Sequence, residues 1–376
     1  MTASLMHSTC AAARWWLIGA ISAIVLLGCN PDAAVEPPTA SAAPALLTAN
    51  AAPLSNRFGY ALADQPSALS YAPSIAYNAT GGGVRINHPG GSFYEVTFGG
   101  LNPAPGETMV FMVTPNGSTN AHCVAGFTTT SGSSITVNVF CLDPVQGTGV
   151  DSRFTVLAVG SNSLPARSAF ALANNPFALS YIPDPNFSYT SAGVPITINH
   201  DPLPGNYLVN LGTGNPKGSV FLVNSQITPM QCHVGEWLTT TARVRCFDSN
   251  NGTPADIDYG VLQVTGGRPG RRIGYAFADR GATASYTPNS AFSHNSAGGA
   301  IKVTRSAAGR YAVVFTGLQR PAGHTDNVQV TPFGMAYANC AVPGWTNVAG
   351  GLRVIVNCRD IAGNFHDSRF EILVIE

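Results

Sequence analysis

The chain has 376 residues, 19 basic and 19 acidic side chains, and only 10% charged residues, against about 25% in an average globular protein. No basic excess exists to meet a phosphate backbone, which excludes a nucleic-acid partner. An apolar content of 45% excludes a disordered chain. The length predicts about two or three domains, and eight cysteines in a polar, Gly-rich chain suggest an oxidising compartment.

In chain order, the first feature is an address. One charge, Arg14, precedes the apolar run Trp15 to Leu27, and Gly28-Cys29 follows. That layout predicts a secretory signal over residues 1–28. The ending Leu26-Leu27-Gly28-Cys29 resembles the bacterial lipobox. The resemblance implies cleavage before Cys29, lipidation of its thiol, and anchoring in an outer membrane or cell surface that faces periplasm or exterior. An uncleaved anchor and a plain secretory signal are the alternatives. Residues 29–55 are rich in Ala, Pro, Ser and Thr without periodicity, and predict a flexible tether.

Beyond residue 55 the sequence repeats. Tyr60-Ala-Leu-Ala and Ser70-Tyr71 return as Phe170-Ala-Leu-Ala and Ser180-Tyr181, then as Tyr275-Ala-Phe-Ala and Ser285-Tyr286. Further positions keep step: Tyr77, Phe187 and Phe292; Ile86, Ile196 and Ile301; Tyr94-x-Val96, Tyr207-x-Val209 and Tyr311-x-Val313; Phe111, Phe221 and Val328. Period-two alternation bounded by Gly, Pro, Asn and Asp predicts strands throughout. The expected fold is all-β: three tandem antiparallel β-sandwich or jelly-roll units at 56–162, 166–266 and 271–376.

Cys10 falls in the signal and Cys29 in the lipobox, so six cysteines remain, two per repeat. The economical assignment is one disulfide in each: Cys123 with Cys141, Cys232 with Cys246, Cys340 with Cys358. Each would close a short loop worth roughly 3 kcal/mol. Zinc is the rival, but CxxC spacing is absent.

Two acids recur: Asp143, Asp248 and Asp360 two residues after the second Cys, then Asp151, Asp258 and Asp367 before the last strand. In such loops they are candidate Ca²⁺ ligands or simple turn formers. The second repeat departs here, with Asp258-Tyr259-Gly260-Val261 against Asp-Ser-Arg-Phe in the others. His122 and His233 flank a cysteine where the third repeat has Asn339; the histidines form neither HExxH nor a repeated pair. Phe127, Trp237 and Trp345 follow the first cysteine by four or five residues. They are either core residues on the disulfide or exposed stacking platforms for a glycan.

The third repeat resembles an uncharacterised repeat of secreted proteins of high-G+C bacteria, and all three match it over residues 57–376. That resemblance implies no activity. A fainter one is to complement-type globular-head jelly rolls, carried by Tyr275-Ala276, Phe292, Gly309-Arg310-Tyr311 and Ser368-Arg369-Phe370. Such heads work as trimers, which implies a covalent pseudo-trimer; separate beads are the other arrangement. No GxSxG elbow frames a serine, and acids that recur three times favour scaffold over catalysis. The expected function is a lipid-anchored, non-catalytic binding, adhesion or envelope-structural protein, without cofactor, contacting a glycan or envelope protein. An envelope carbohydrate hydrolase is the alternative.

Overall fold

A computed structural model describes residues 56–214, 218–226, 230–267 and 271–376. The signal segment, Cys29 and the tether to residue 55 lie outside the described residues. What is described is all-β, broken only by three short 3-10 turns. None of it is a helix long and apolar enough to cross a membrane.

The first segment shows the plan. Its inner layer runs Met109–Asn116, Arg153–Gly160, Phe58–Ala63, Ala76–Asn78. Its outer layer runs Ser70–Tyr71, Val84–Gly90, Phe93–Phe98, Ser134–Asp143, His122–Ser131. The same two orders return between residues 169 and 265 and between 273 and 375. The layers differ in burial. The outer strand Phe93–Phe98 alternates buried with half-buried residues, as a strand with one wet face does. The inner strands Phe58–Ala63, Ser219–Ser225 and Asn327–Phe333 are buried at every position, and so are covered on both faces.

Each segment has its own apolar core between its layers. Ile86, Tyr94, Val96 and Phe154 lie in the first, Ile198, Tyr207, Val209 and Tyr259 in the second, Val303, Tyr311, Val313 and Phe370 in the third. A disulfide lies in each core and joins directly paired residues of two outer strands: Cys123–Cys141, Cys232–Cys246 and Cys340–Cys358.

A fourth cluster takes residues from all three segments. Phe58, Tyr60 and Leu157 meet Phe170, Leu222 and Leu262, and these meet Ile273, Tyr275 and Leu373. The inner layers thus turn their second faces toward one another, and the described residues belong to one compact unit.

Among the described residues, three parallel bridges close the arrangement. Ala125 pairs with Gln226, Val234 with Phe333, and Val342 with Asn116. The first partner always lies two residues after a cysteine; the second lies five after Phe111, Phe221 or Val328. Each segment's outer layer therefore joins the next segment's inner layer, and the third returns to the first. This is the head-to-tail contact that closes a ring when the rotation fits, here within one chain.

Two sets of polar side chains hold the ring. The Thr114 hydroxyl accepts from Val330 N (3.0 Å), that of Thr331 accepts from Val223 N (3.1 Å), and Asn224 Nδ2 donates to Val113 O (3.1 Å). Each partner is the residue just before the equivalent position of the neighbouring segment. The residues preceding the first cysteines make the second set. His122 Nε2 donates to Met230 O (2.9 Å), Gln231 Nε2 to Ala338 O, and Asn339 Nδ2 to Ala121 O (3.2 Å).

Strand pairing also corrects one alignment. Val84 faces Phe98 as Ile301 faces Phe315, while Ile86 faces Val96 as Ile198 faces Val209 and Val303 faces Val313. Ile86 therefore corresponds to Ile198 and Val303, and not to Ile196 and Ile301. A slip of two keeps a strand residue on the same face, so apolar pattern alone hides it.

Candidate functional site

The recurring acids serve the fold. Asp143 Oδ1 accepts from Val145 N (2.9 Å), Asp248 Oδ1 from Asn250 N (2.8 Å) and Asp360 Oδ1 from Asn364 N (2.9 Å). These are side chains closing their own turns. Among the described residues no cluster of three or more His, Cys, Asp or Glu side chains is placed to hold a metal ion.

The second set of acids forms a clasp between the layers. Asp367 pairs with Arg305 through Nε and Nη2 at 2.8 Å each, and accepts from Gly309 N (2.8 Å) and Tyr311 OH (3.2 Å). The Arg305 guanidinium holds the Asp367 carboxyl below its ordinary value. The second segment repeats this with Asp256, and not with Asp258. Asp256 accepts from His200 Nε2 (2.8 Å), Gly205 N (2.6 Å) and Tyr207 OH (3.2 Å). The first segment holds a looser version: Asp151 lies 3.2 Å from His88 Nε2, but that nitrogen donates to Gly91 O (2.6 Å) and Tyr94 OH donates to Pro66 O (3.1 Å). The tyrosines complete the motif: Ser152 N, Ile257 N and Ser368 N donate to the hydroxyls of Tyr94, Tyr207 and Tyr311. Gly205 and Gly309 take positive φ here (62° and 63°), and a Cβ on either would collide with the carbonyl of Cys246 or Cys358.

This geometry revises two sequence readings. His88, His200 and Arg305 take corresponding places beside Asp151, Asp256 and Asp367, with a hydrogen bond to the acid in the second and third segments. Asp258 directly precedes the strand aromatic, but the clasp takes the acid two residues earlier, Asp256. Counting three residues back from Phe154, Tyr259 and Phe370 gives Asp151, Asp256 and Asp367. Asp258 occupies the place of Arg153 and Arg369.

His122 and His233 are also structural. Burial pushes both imidazoles down to about 4, so they are neutral donors at neutral pH, to Met230 O and Gly334 O (both 2.9 Å).

The aromatic residues after the first cysteine are not equivalent. Trp237 pairs with Ala242, two residues before Val244; the residue with that pairing in the first segment is Thr128, opposite Val137. Phe127 lies one position away in a bulge and is 53% exposed, so it is not a core residue. Trp345 is half-buried against the third core.

Trp237 closes the junction between second and third segments. Its indole stacks on Phe292 (centroids 4.6 Å), lies 4.7 Å from Phe277, and meets Phe333 edge-on at 5.2 Å. The corresponding residues at the first–second junction are Thr128, Phe187, Leu172 and Gln226. Three aromatic rings are lost, and a cleft of about 450 Å³ opens there. Met109, Phe111 and Ile135 line it from the first segment, with Phe127 at its mouth. Asn174, Asn186, Gln226 and Asp258 line it from the second. Burial raises the Asp258 carboxyl above its ordinary value.

Glu107 also borders the cleft, so two carboxylates meet the composition a glycosidase needs. Their settings differ. The Glu107 side chain is 1% exposed, sits 3.7 Å from Arg57 and accepts from Ala104 N (3.4 Å). It belongs to the wall of the cleft, whereas Asp258 is the more accessible carboxylate among the described lining residues.

No family model, curated protein or solved structure matches the chain.

Proposed function

We propose that the chain is a lipid-anchored protein of the cell envelope with a non-catalytic binding role. Leu26-Leu27-Gly28-Cys29 supports the anchor at Cys29, and the Ala/Pro-rich run to residue 55 supports a tether that holds three homologous β-sandwich units away from the bilayer. The observation that carries the binding role is the contrast between what repeats and what does not. The repeated acids and histidines are consumed by clasps and turns, whereas the cleft at the first–second junction breaks the repeat and is ligand-sized.

Labelling with a palmitate analogue tests the anchor. Label on the wild-type chain and none on Cys29→Ser is the expected result; label persisting on that variant overturns it. Screening the full chain against envelope extracts and glycans tests the role. Capture without turnover supports binding, and hydrolysis of a glycan favours the hydrolase.

A further inference from the structure

The first–second cleft and the second–third junction are the same place in the fold, occupied differently. In one an indole from the chain itself fills the space between Phe277, Phe292 and Phe333. In the other the indole is replaced by Thr128, while the ring it would stack on, Phe187, remains and is 44% exposed. We propose that the cleft binds a small molecule with a flat, indole-sized aromatic ring bearing an N–H or ammonium donor. The ring lies on Phe187 among Met109, Phe111 and Leu172, and the donor is received by Asp258 and the Gln226 amide.

Three observations set this chemistry. The neighbouring junction shows that backbone of this geometry accepts an indole with ring centroids under 5 Å from two phenylalanines. The volume, about 450 Å³, lies within the range of roughly 300–1,000 Å³ typical of small-molecule sites. Sign is set by Asp258: the equivalent residue in the third segment, Arg369, lies over Phe333 at 5.0 Å. The first–second junction therefore offers a carboxylate where the other places a guanidinium. That exchange selects a donor and disfavours an anion.

The inference rests on the binding role proposed above and names its ligand class. Calorimetric titration of the detergent-solubilised full chain with tryptamine, 3-methylindole and N-acetylglucosamine tests it. Tryptamine is expected to saturate one site per chain. Thr128→Trp, which supplies the indole internally, weakens it by about tenfold or more, and Leu172→Phe, which copies Phe277, weakens it in the same direction. Thr128→Ala retains binding, and Asp258→Asn weakens tryptamine but not 3-methylindole. Near-UV circular dichroism matching the wild type shows that the variants fold. Absence of saturable heat with both indoles overturns the proposal. So does unchanged tryptamine binding by folded Thr128→Trp, or tighter binding of N-acetylglucosamine than of tryptamine. None of these outcomes alters palmitate labelling at Cys29, so failure of the ligand and failure of the anchored-protein reading are told apart.

Discussion

The first–second and second–third junctions share a backbone plan and differ in what fills it. Both are closed by a parallel bridge, Ala125 to Gln226 in one and Val234 to Phe333 in the other. Both carry a buried neutral histidine donating across the boundary, His122 or His233. Only the second–third junction is packed with aromatic rings. The comparison teaches that ring closure does not need the aromatic box. The shared apolar cluster, the backbone bridges and the polar side chains hold the segments together, which leaves the box free to become a cleft where the sequence omits a tryptophan.

The strongest way to break the contrast is to empty the filled junction. Trp237→Thr is expected to cost about 3 kcal/mol, at the low end for large-to-small changes because the indole is only half-buried. Denaturant unfolding measures it; a loss under 1 kcal/mol would mean that the box contributes little.

Acid probes what the junctions share. Each histidine is held at about 4 in the fold against 6.5 unfolded. Protonation therefore favours the unfolded chain, and stability that is full above pH 6.5 falls toward pH 4, by about 3 kcal/mol per group. Asp326, between Arg272 and Arg320, slopes the other way: burial raises it to about 6, so its contribution is present at low pH and lost as pH rises. The informative quantity is thus the difference between variant and wild type. His122→Asn, which copies Asn339, should remove its share of the acid loss and keep a donor. An unchanged pH profile would contradict the assignment.

A smaller effect separates clasp from cleft. Asp256→Asn should cost about 2 kcal/mol, because a charged acceptor for His200, Gly205 and Tyr207 is lost. Asp258→Asn should leave the unfolding midpoint nearly unchanged. Reversal of that order would restore Asp258 to the clasp.

Much of the architecture was legible in the sequence. Period-two alternation marked the strands, and the spacing of six cysteines marked three bridges. What escaped notice lay in register. Ile86 for Val84, Asp258 for Asp256 and Phe127 for Thr128 are slips of one or two residues. The first preserves face and residue type, the second preserves residue type alone, and the third is concealed by a bulge after Ala125. Comparing residue types finds the nearest aromatic or acid, whereas cross-strand partners define the true equivalent. The junctions were invisible for another reason. Thr114, Asn224 and Thr331 are polar residues on strands, a pattern that reads as a wet face, yet all three are buried against a neighbouring segment. Only their backbone partners in that segment reveal why.

The central claim is that the segments close into one ring and do not hang as beads. Differential scanning calorimetry of the full chain tests it most directly. A closed ring with a shared core predicts a single transition whose calorimetric and van't Hoff enthalpies agree. Two or three separable transitions, each with the enthalpy of one segment, would contradict it.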